Sequence, residues 1–146
     1  MSKGFRISTE GFKSLEKRLE KMSKEAVNEV SDVVDKHIFD INREQISATV
    51  VGQDHGGFLK GSNNFDVKDK KYKEIFNNAN YAAFVEFGTG NMVKVPTELA
   101  EYARQFKGKG IRNVNLPARP FFFAPFFKRR QTILRDIVKV LQKFGK

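Results

Sequence analysis

Residues 81–90 read YAAFVEFGTG and residues 117–127 read PARPFFFAPFF. Both stretches are apolar and aromatic. Both are also cut by residues that free or restrict the backbone: Gly88 and Gly90 in the first, Pro117, Pro120 and Pro125 in the second. Neither places a nucleophile beside a base, so the pattern suits packing and a held backbone shape, not bond making. The first reads as a short helix or a bent strand that Gly88-Thr89-Gly90 must end. The second opens a helix, with Pro125 suited to its first turn. Phe126, Phe127, Arg130, Leu134, Ile137, Val138, Leu141 and Phe144 recur there at helical spacing, and Lys128, Arg129, Arg135, Lys139 and Lys143 mark another face.

Upstream, Phe5 and Ile7 alternate with polar neighbours as a short strand, and Ser8-Thr9-Glu10 offers a helix start. Phe12, Leu15, Leu19, Met22, Ala26, Val30, Val33/Val34, His37/Ile38 and Ile41 then recur every three or four residues. They form one apolar face, on one long helix or on two broken near Ser23. The spacing also fits a coiled coil, but matched charges and the later strand signals favour a helix lying on a sheet. Residues 52–64, GQDHGGFLKGSNN, read as a loop. Phe65 and Val67 start one strand, Asp69-Lys70-Lys71 turns, and Tyr72 to Asn77 alternates in a second, which predicts an antiparallel hairpin. The expected fold is α+β: a small antiparallel sheet packed with a long N-terminal helical region and a C-terminal amphipathic helix.

The 146 residues suit one domain, large enough to bury roughly 70% of its unfolded surface. With no cysteine there is neither a disulfide framework nor a thiolate metal site. No apolar stretch suggests a signal peptide or a membrane span, so the expected compartment is the cytoplasm. The net charge of +10 is uneven: residues 1–46 and 47–90 are each balanced, whereas residues 91–146 hold 13 Lys/Arg against three Asp/Glu. Clustered positive charge draws a nucleic acid or an acidic protein surface over roughly a Debye length, about 8 Å, and charge alone does not choose between them.

Glu86 is the one acid inside the first motif, flanked by Val85 and Phe87. A general base would need a histidine, a cysteine or a second acid in a recognisable pattern, so Glu86 is expected to be partly buried and paired with a basic residue or backbone donors. His37 and Asp54-His55 lack metal-ligand spacing, and His37 is expected at the edge of its helix face. Gly88-x-Gly90 is not a phosphate loop, because no G-x-x-x-x-G-K-[ST] pattern is present. No catalytic residue, cofactor or metal is expected. The five phenylalanines Phe121, Phe122, Phe123, Phe126 and Phe127 are contiguous, unlike base-stacking platforms, and read as core or intersubunit packing. Lys128-Arg129-Arg130 beside them reads as a solvated helix face, a contact for an acidic neighbour, or a DNA-backbone contact.

Together the two motifs resemble the tail-completion, or head-tail joining, proteins of long-tailed bacteriophages. In that family a tyrosine-alanine step leads into Val-Glu-Phe-Gly-Thr, as Tyr81 to Thr89 do here, and a Pro-Phe…Pro segment follows, as Pro120 to Pro125 do. Gly57-Phe58-Leu59-Lys60-Gly61-Ser62 is similar to the family's Thr-Gly-x-Leu-x-x-Ser, with Gly56 standing where the threonine usually is. The resemblance implies a single domain over 1–146 with an insertion at 91–116, where Pro96-Thr97-Glu98 opens a helical turn or two through Leu99, Tyr102 and Phe106. It implies Tyr81, Glu86, Phe87, Gly88, Thr89, Pro120 and Pro125 as the structural motif. The implied role is a virion protein, not an enzyme, in a neck ring of typically six copies that joins tail to head. Expected partners are further copies and the neighbouring neck, connector and tail-tube proteins. Non-specific DNA contact is possible within this reading, and no membrane is involved. Phe121, Phe122, Phe123, Phe126, Phe127, Lys128, Arg129 and Arg130 are the candidate interface. The rival reading is a nucleic-acid-binding module built on the basic last third, for which no reader motif is present.

Overall fold

Lys24–Ala48 forms one 25-residue helix, α1, as the three-and-four spacing predicts. Ala26, Val30, Ile38 and Ile41 are buried along it, with Val33 and Val34 packed at the margin. The buried stripe continues beyond the apolar pattern to Gln45. The helix ends where Thr49 turns back on it, donating from both its backbone N–H and its hydroxyl to the Gln45 carbonyl at 3.0 and 2.6 Å. The computed structural model describes residues 5–8, 24–51, 57–90, 95–104 and 116–145. Phe12, Leu15, Leu19, Met22 and the break near Ser23 lie outside them.

Three strands build the sheet: β1 Phe5–Ser8, β2 Asn63–Asp66 and β3 Glu74–Asn77, in the order β1-β3-β2 with both pairings antiparallel. The predicted hairpin is β2-β3, with Phe65 opposite Ile75 and Asn63 opposite Asn77. Its turn is set by Asp69, whose Oδ1 accepts from the backbone N–H groups of Lys71 and Tyr72. Alternation sends Asn63, Lys73, Ile75 and Asn77 to the buried face and leaves Asn64 and Asp66 exposed. The described part of the expected loop at 52–64 is more regular than its composition suggests. Gly57 at φ 82° leads into a single helical turn, α2 (Phe58–Gly61), and Ser62 closes it by donating its hydroxyl to the Phe58 carbonyl. Asn63 and Asn64 already belong to β2.

Ala82–Phe87 is helix α3, which resolves the helix-or-strand alternative. A 3-10 turn, Thr97–Leu99, runs into α4, Ala100–Arg104, the helical turns expected after Pro96; Phe106 lies outside the described residues. The last helix, α5, spans Phe123–Phe144 and starts two residues before Pro125. Its buried face is Ile133, Ile137 and Val140, whereas Leu134 and Val138 are exposed. Of the positions the spacing offers, Ile137 is buried and Phe126, Phe127, Leu141 and Phe144 pack against the core, while Arg130, Leu134 and Val138 face solvent, because apolar residues occur on more than one face of this helix and periodicity alone does not choose among them.

Helices α1 and α5 lie antiparallel and exchange charge along their length. Arg129 reaches Glu44 and Asp40, with an Nη1–Oδ2 distance of 3.2 Å to Asp40. His37 Nε2 sits 3.0 Å from Asp136 Oδ2, and Lys143 Nζ 3.1 Å from Glu29 Oε2. His37 is therefore buried between helices, not at an edge. The His37 hydrogen bond, aided by Lys139, holds the Asp136 carboxyl below its ordinary range. Under the sheet, Lys73 is buried with its ammonium 2.7 Å from Asp35 and 3.0 Å from the Val67 carbonyl, tying β3 to α1.

A buried polar chain runs through the same region. Asn77 donates to the Leu59 carbonyl and to Asn63 Oδ1, and accepts from the Ala79 N–H, at 2.9–3.0 Å. Asn63 donates to Thr49 Oγ1 at 2.9 Å, and Gln45, 0% exposed, donates to the Phe122 carbonyl at 2.8 Å. Sheet, α1 and the phenylalanine segment are thereby joined by one set of hydrogen bonds. Truncating Asn77 would remove the buried partner of the Ala79 N–H and of Asn63 Oδ1, and one of the two donors to the Leu59 carbonyl. Asn77→Ala is expected to lower the unfolding free energy by about 2–4 kcal/mol. Urea melts of the two proteins check this, and a loss under about 0.5 kcal/mol, the scale of a surface substitution, would contradict it.

Candidate functional site

The two motifs that dominate the sequence meet in space. Helix α3 turns over its surface residues Tyr81 and Phe84 and buries Ala82, Ala83, Glu86 and Phe87. It ends at Gly88, whose N–H donates to the Phe84 carbonyl and whose backbone has φ 76° and ψ −174°. That combination is open essentially to glycine alone. It turns Thr89 toward the incoming segment, where the Thr89 N–H donates to the Leu116 carbonyl and the Leu116 N–H donates to Thr89 Oγ1, both at 2.9 Å. One step further on, the Arg119 N–H donates to the Val85 carbonyl at 2.8 Å.

Glu86 completes the clasp. Its side chain is 3% exposed, and its oxygens accept from the backbone N–H groups of Phe121 at 2.6 Å, Phe122 at 2.9 Å and Phe123 at 3.2 Å. These are the N–H groups at the start of α5, and Phe122 in the N-cap position makes no side-chain cap. A helix start leaves such donors without intrahelical partners. Glu86 supplies the cap from another helix, and its negative charge lies at the positive end of the α5 dipole. Burial pushes the Glu86 carboxyl above its ordinary value of 4.5, outweighing the three backbone donors, which act in the opposite direction. Of the two pairings expected from sequence, the backbone one is found.

Rings pack around this cap. Phe87 stacks on Phe123 with centroids 5.8 Å apart, Phe123 stacks on Phe127 at 6.4 Å, and Phe122 meets Phe123 edge to face at 5.2 Å. Tyr102 of α4 adds its edge to Phe87 and Phe123 at 6.4 and 6.2 Å, so the expected insertion contributes to the core. Burial raises the Tyr102 hydroxyl above its ordinary value.

The five phenylalanines expected as core or intersubunit packing, and named with Lys128, Arg129 and Arg130 as the candidate interface, divide between core and margin. Phe121 and Phe122 are 0% exposed and Phe123 is also buried, so these three fill the chain's own core. Phe126 and Phe127 are half-buried at its margin. Arg129 is taken up by Asp40 and Glu44, and Lys128 approaches Glu44 at 3.8 Å, while Arg130 is exposed. Part of the basic excess of the last third is thus met by the acids of α1. Pro120 is exposed and Pro125 buried. Asp54-His55 lies outside the described residues. Among the described residues no group of three or more His, Asp or Glu could hold a metal ion.

The two motifs are thus joined by a clasp of backbone hydrogen bonds and stacked rings. The chain belongs to the HK97 gp10-like family, described as "Bacteriophage HK97-gp10, putative tail-component", which matches residues 13–88 and so just over half of its length. No curated protein and no solved structure matches it. The protein is a member of a bacteriophage tail-component family, and a structural role in the tail follows. No helix among the described residues is long and apolar enough to cross a membrane.

Two substitutions test the clasp. Glu86→Ala removes the acceptor of three buried N–H groups and is expected to cost about 3 kcal/mol or more. Glu86→Gln removes the charge and is expected to fold. Because the folded-state carboxyl is raised, its contribution is fully present below pH 4.5 and is lost as pH rises through the folded value. The stability of wild type relative to Glu86→Gln should therefore fall between pH 4.5 and neutrality. A difference that grows in favour of wild type over that range would mean that the three donors outweigh burial. Gly88→Val, which forces a side chain into a glycine-only conformation, should cost more than about 1 kcal/mol, and an unchanged melting temperature would remove the role assigned to Gly88.

Proposed function

We propose that this protein completes the head-proximal end of the phage tail and joins it to the head as one subunit of a neck ring, with six copies expected. The observation that carries the reading is the tail-component family match, and the two joined motifs support it. The mechanism is binding, not catalysis. The whole chain acts as one domain, with residues 91–116 inserted into it, and the Glu86 clasp makes the subunit a preformed block so that little ordering is left for assembly. Such subunits stay apart in solution when each contact is too weak to offset several kcal/mol of lost translational and rotational freedom. They close into a ring on the surface offered by the tail end.

The neighbours are then further copies, neck and connector proteins and the tail tube. Assembly takes place in the host cytoplasm, with at most non-specific contact to the DNA that passes through. Phe126 and Phe127, half-buried at the start of α5, and the cations Lys128 and Arg130 beside them are the surface through which the ring is built. A dedicated nucleic-acid role is the weaker reading, since Arg129 and Lys143 are occupied by carboxylates of α1.

Replacing Lys128 and Arg130 together by Glu tests the interface without touching the core. The variant should melt like wild type, and lysates should contain filled heads and unjoined tails, with infectious titre down by about tenfold or more, the effect of about 1.4 kcal/mol at a contact. Full titre with the variant at wild-type occupancy in particles would contradict the interface. Filled heads with joined tails in a strain lacking the gene would contradict the joining role itself.

A further inference from the structure

We propose that a groove between α2, α3 and the chain at Val50 is the docking site for an acidic, apolar segment of a different virion protein, a proposal that rests on the assembly role above. The groove holds about 210 Å³ and is lined by Val50, Phe58, Leu59, Tyr81, Val85 and Arg119. Phe58 is 58% exposed although it opens a helical turn, and its ring lies 6.3 Å from that of Tyr81. Phe84, one helical turn beyond Tyr81, and Val51, beside Val50, are exposed as well, so the apolar surface continues past the groove itself. Exposed aromatic rings grouped in this way mark a contact surface more often than isolated ones do.

The groove is preformed. Ser62 Oγ holds the Phe58 carbonyl at 2.7 Å, Asn77 Nδ2 holds the Leu59 carbonyl at 3.0 Å, and the Arg119 N–H is fixed on the Val85 carbonyl at 2.8 Å. An occupant would not have to order its walls.

Charge selects the occupant. The described segments that border the groove, 48–51, 57–62, 78–90 and 116–121, contain two cations, Lys60 and Arg119, and a single carboxylate. That carboxylate is Glu86, buried and turned to the N–H groups of Phe121, Phe122 and Phe123. Arg119 at the mouth is therefore suited to a carboxylate that arrives beside an apolar side chain. Lys60 and Arg119 disfavour the basic last third of a second copy at this groove, whereas an acidic segment is drawn in.

The test is carried out on assembled particles. Photoreactive p-benzoylphenylalanine is placed at position 58 in the full chain, purified particles are irradiated, and the adduct is mapped by mass spectrometry. The expected adduct lies on another virion protein, at an apolar residue within a few positions of Asp or Glu. In parallel, Arg119→Glu should reduce infectious titre by about tenfold or more at unchanged melting temperature, with most of the titre kept by Arg119→Lys. An adduct on a second copy of this chain, on DNA or on a basic segment would overturn the proposal. So would particles that contain the chain but yield no adduct, or a wild-type titre for Arg119→Glu. A chain absent from purified particles would overturn the assembly role first, and the groove proposal with it.

Discussion

Three consecutive backbone N–H groups at Phe121, Phe122 and Phe123 lie in a core made of rings, and the carboxylate of Glu86 accepts from all of them. A helix start leaves its first N–H groups without intrahelical partners, and here Glu86 supplies an acceptor from another helix. With it, the segment before α5 is held on α3, Phe87 is placed on Phe123, and the Phe122 carbonyl is presented to Gln45. The polar chain from Gln45 through Thr49 and Asn63 to Asn77 then reaches the sheet. Helix, sheet and aromatic segment are in this sense referred to one carboxylate.

The second organising constraint is the pairing of α1 with α5. Its centre is apolar, with Ile38 and Ile41 on one helix and Ile133 and Ile137 on the other. Its margins are ionic, from Arg129 at one end to Lys143 at the other. Pairs of this exposure contribute little each to stability. Their larger effect is on register and direction, because an acidic α1 and a basic α5 match in one antiparallel alignment. The exposed rings near Phe58 and Tyr81 and the cations near the start of α5 lie outside this interior.

Much of this was legible in the sequence, and the misses share a cause. The face of α1 from Ala26 to Ile41, the hairpin and a buried, partnered Glu86 follow from spacing and from a lone acid among apolar neighbours, whereas the choice of backbone donors over a basic residue comes only with the fold. Gln45, Asn63 and Asn77 gave no such signal. Each is a polar residue whose burial depends on a partner 14 or more positions away, and only folding supplies it. Leu134 and Val138 imitate part of the buried stripe of α5, and Arg129 reads as solvated because Asp40 and Glu44 are remote in sequence. Phe121 to Phe123 read as core or intersubunit packing, and the fold decides for the core, where Phe87 of α3 and Tyr102 of α4 pack on Phe123.

The claim on which the account depends is that the Glu86 cap opens only when the whole fold does. Native-state hydrogen exchange at the Phe121, Phe122 and Phe123 amides measures this directly. The account predicts that these three amides exchange with the same opening free energy as the buried stretch of α5 around Ile133 and Ile137, equal to that of global unfolding by urea. Exchange at Phe121 to Phe123 many times faster than in the centre of α5, under conditions where the protein is folded, would show a cap that opens locally and would contradict it.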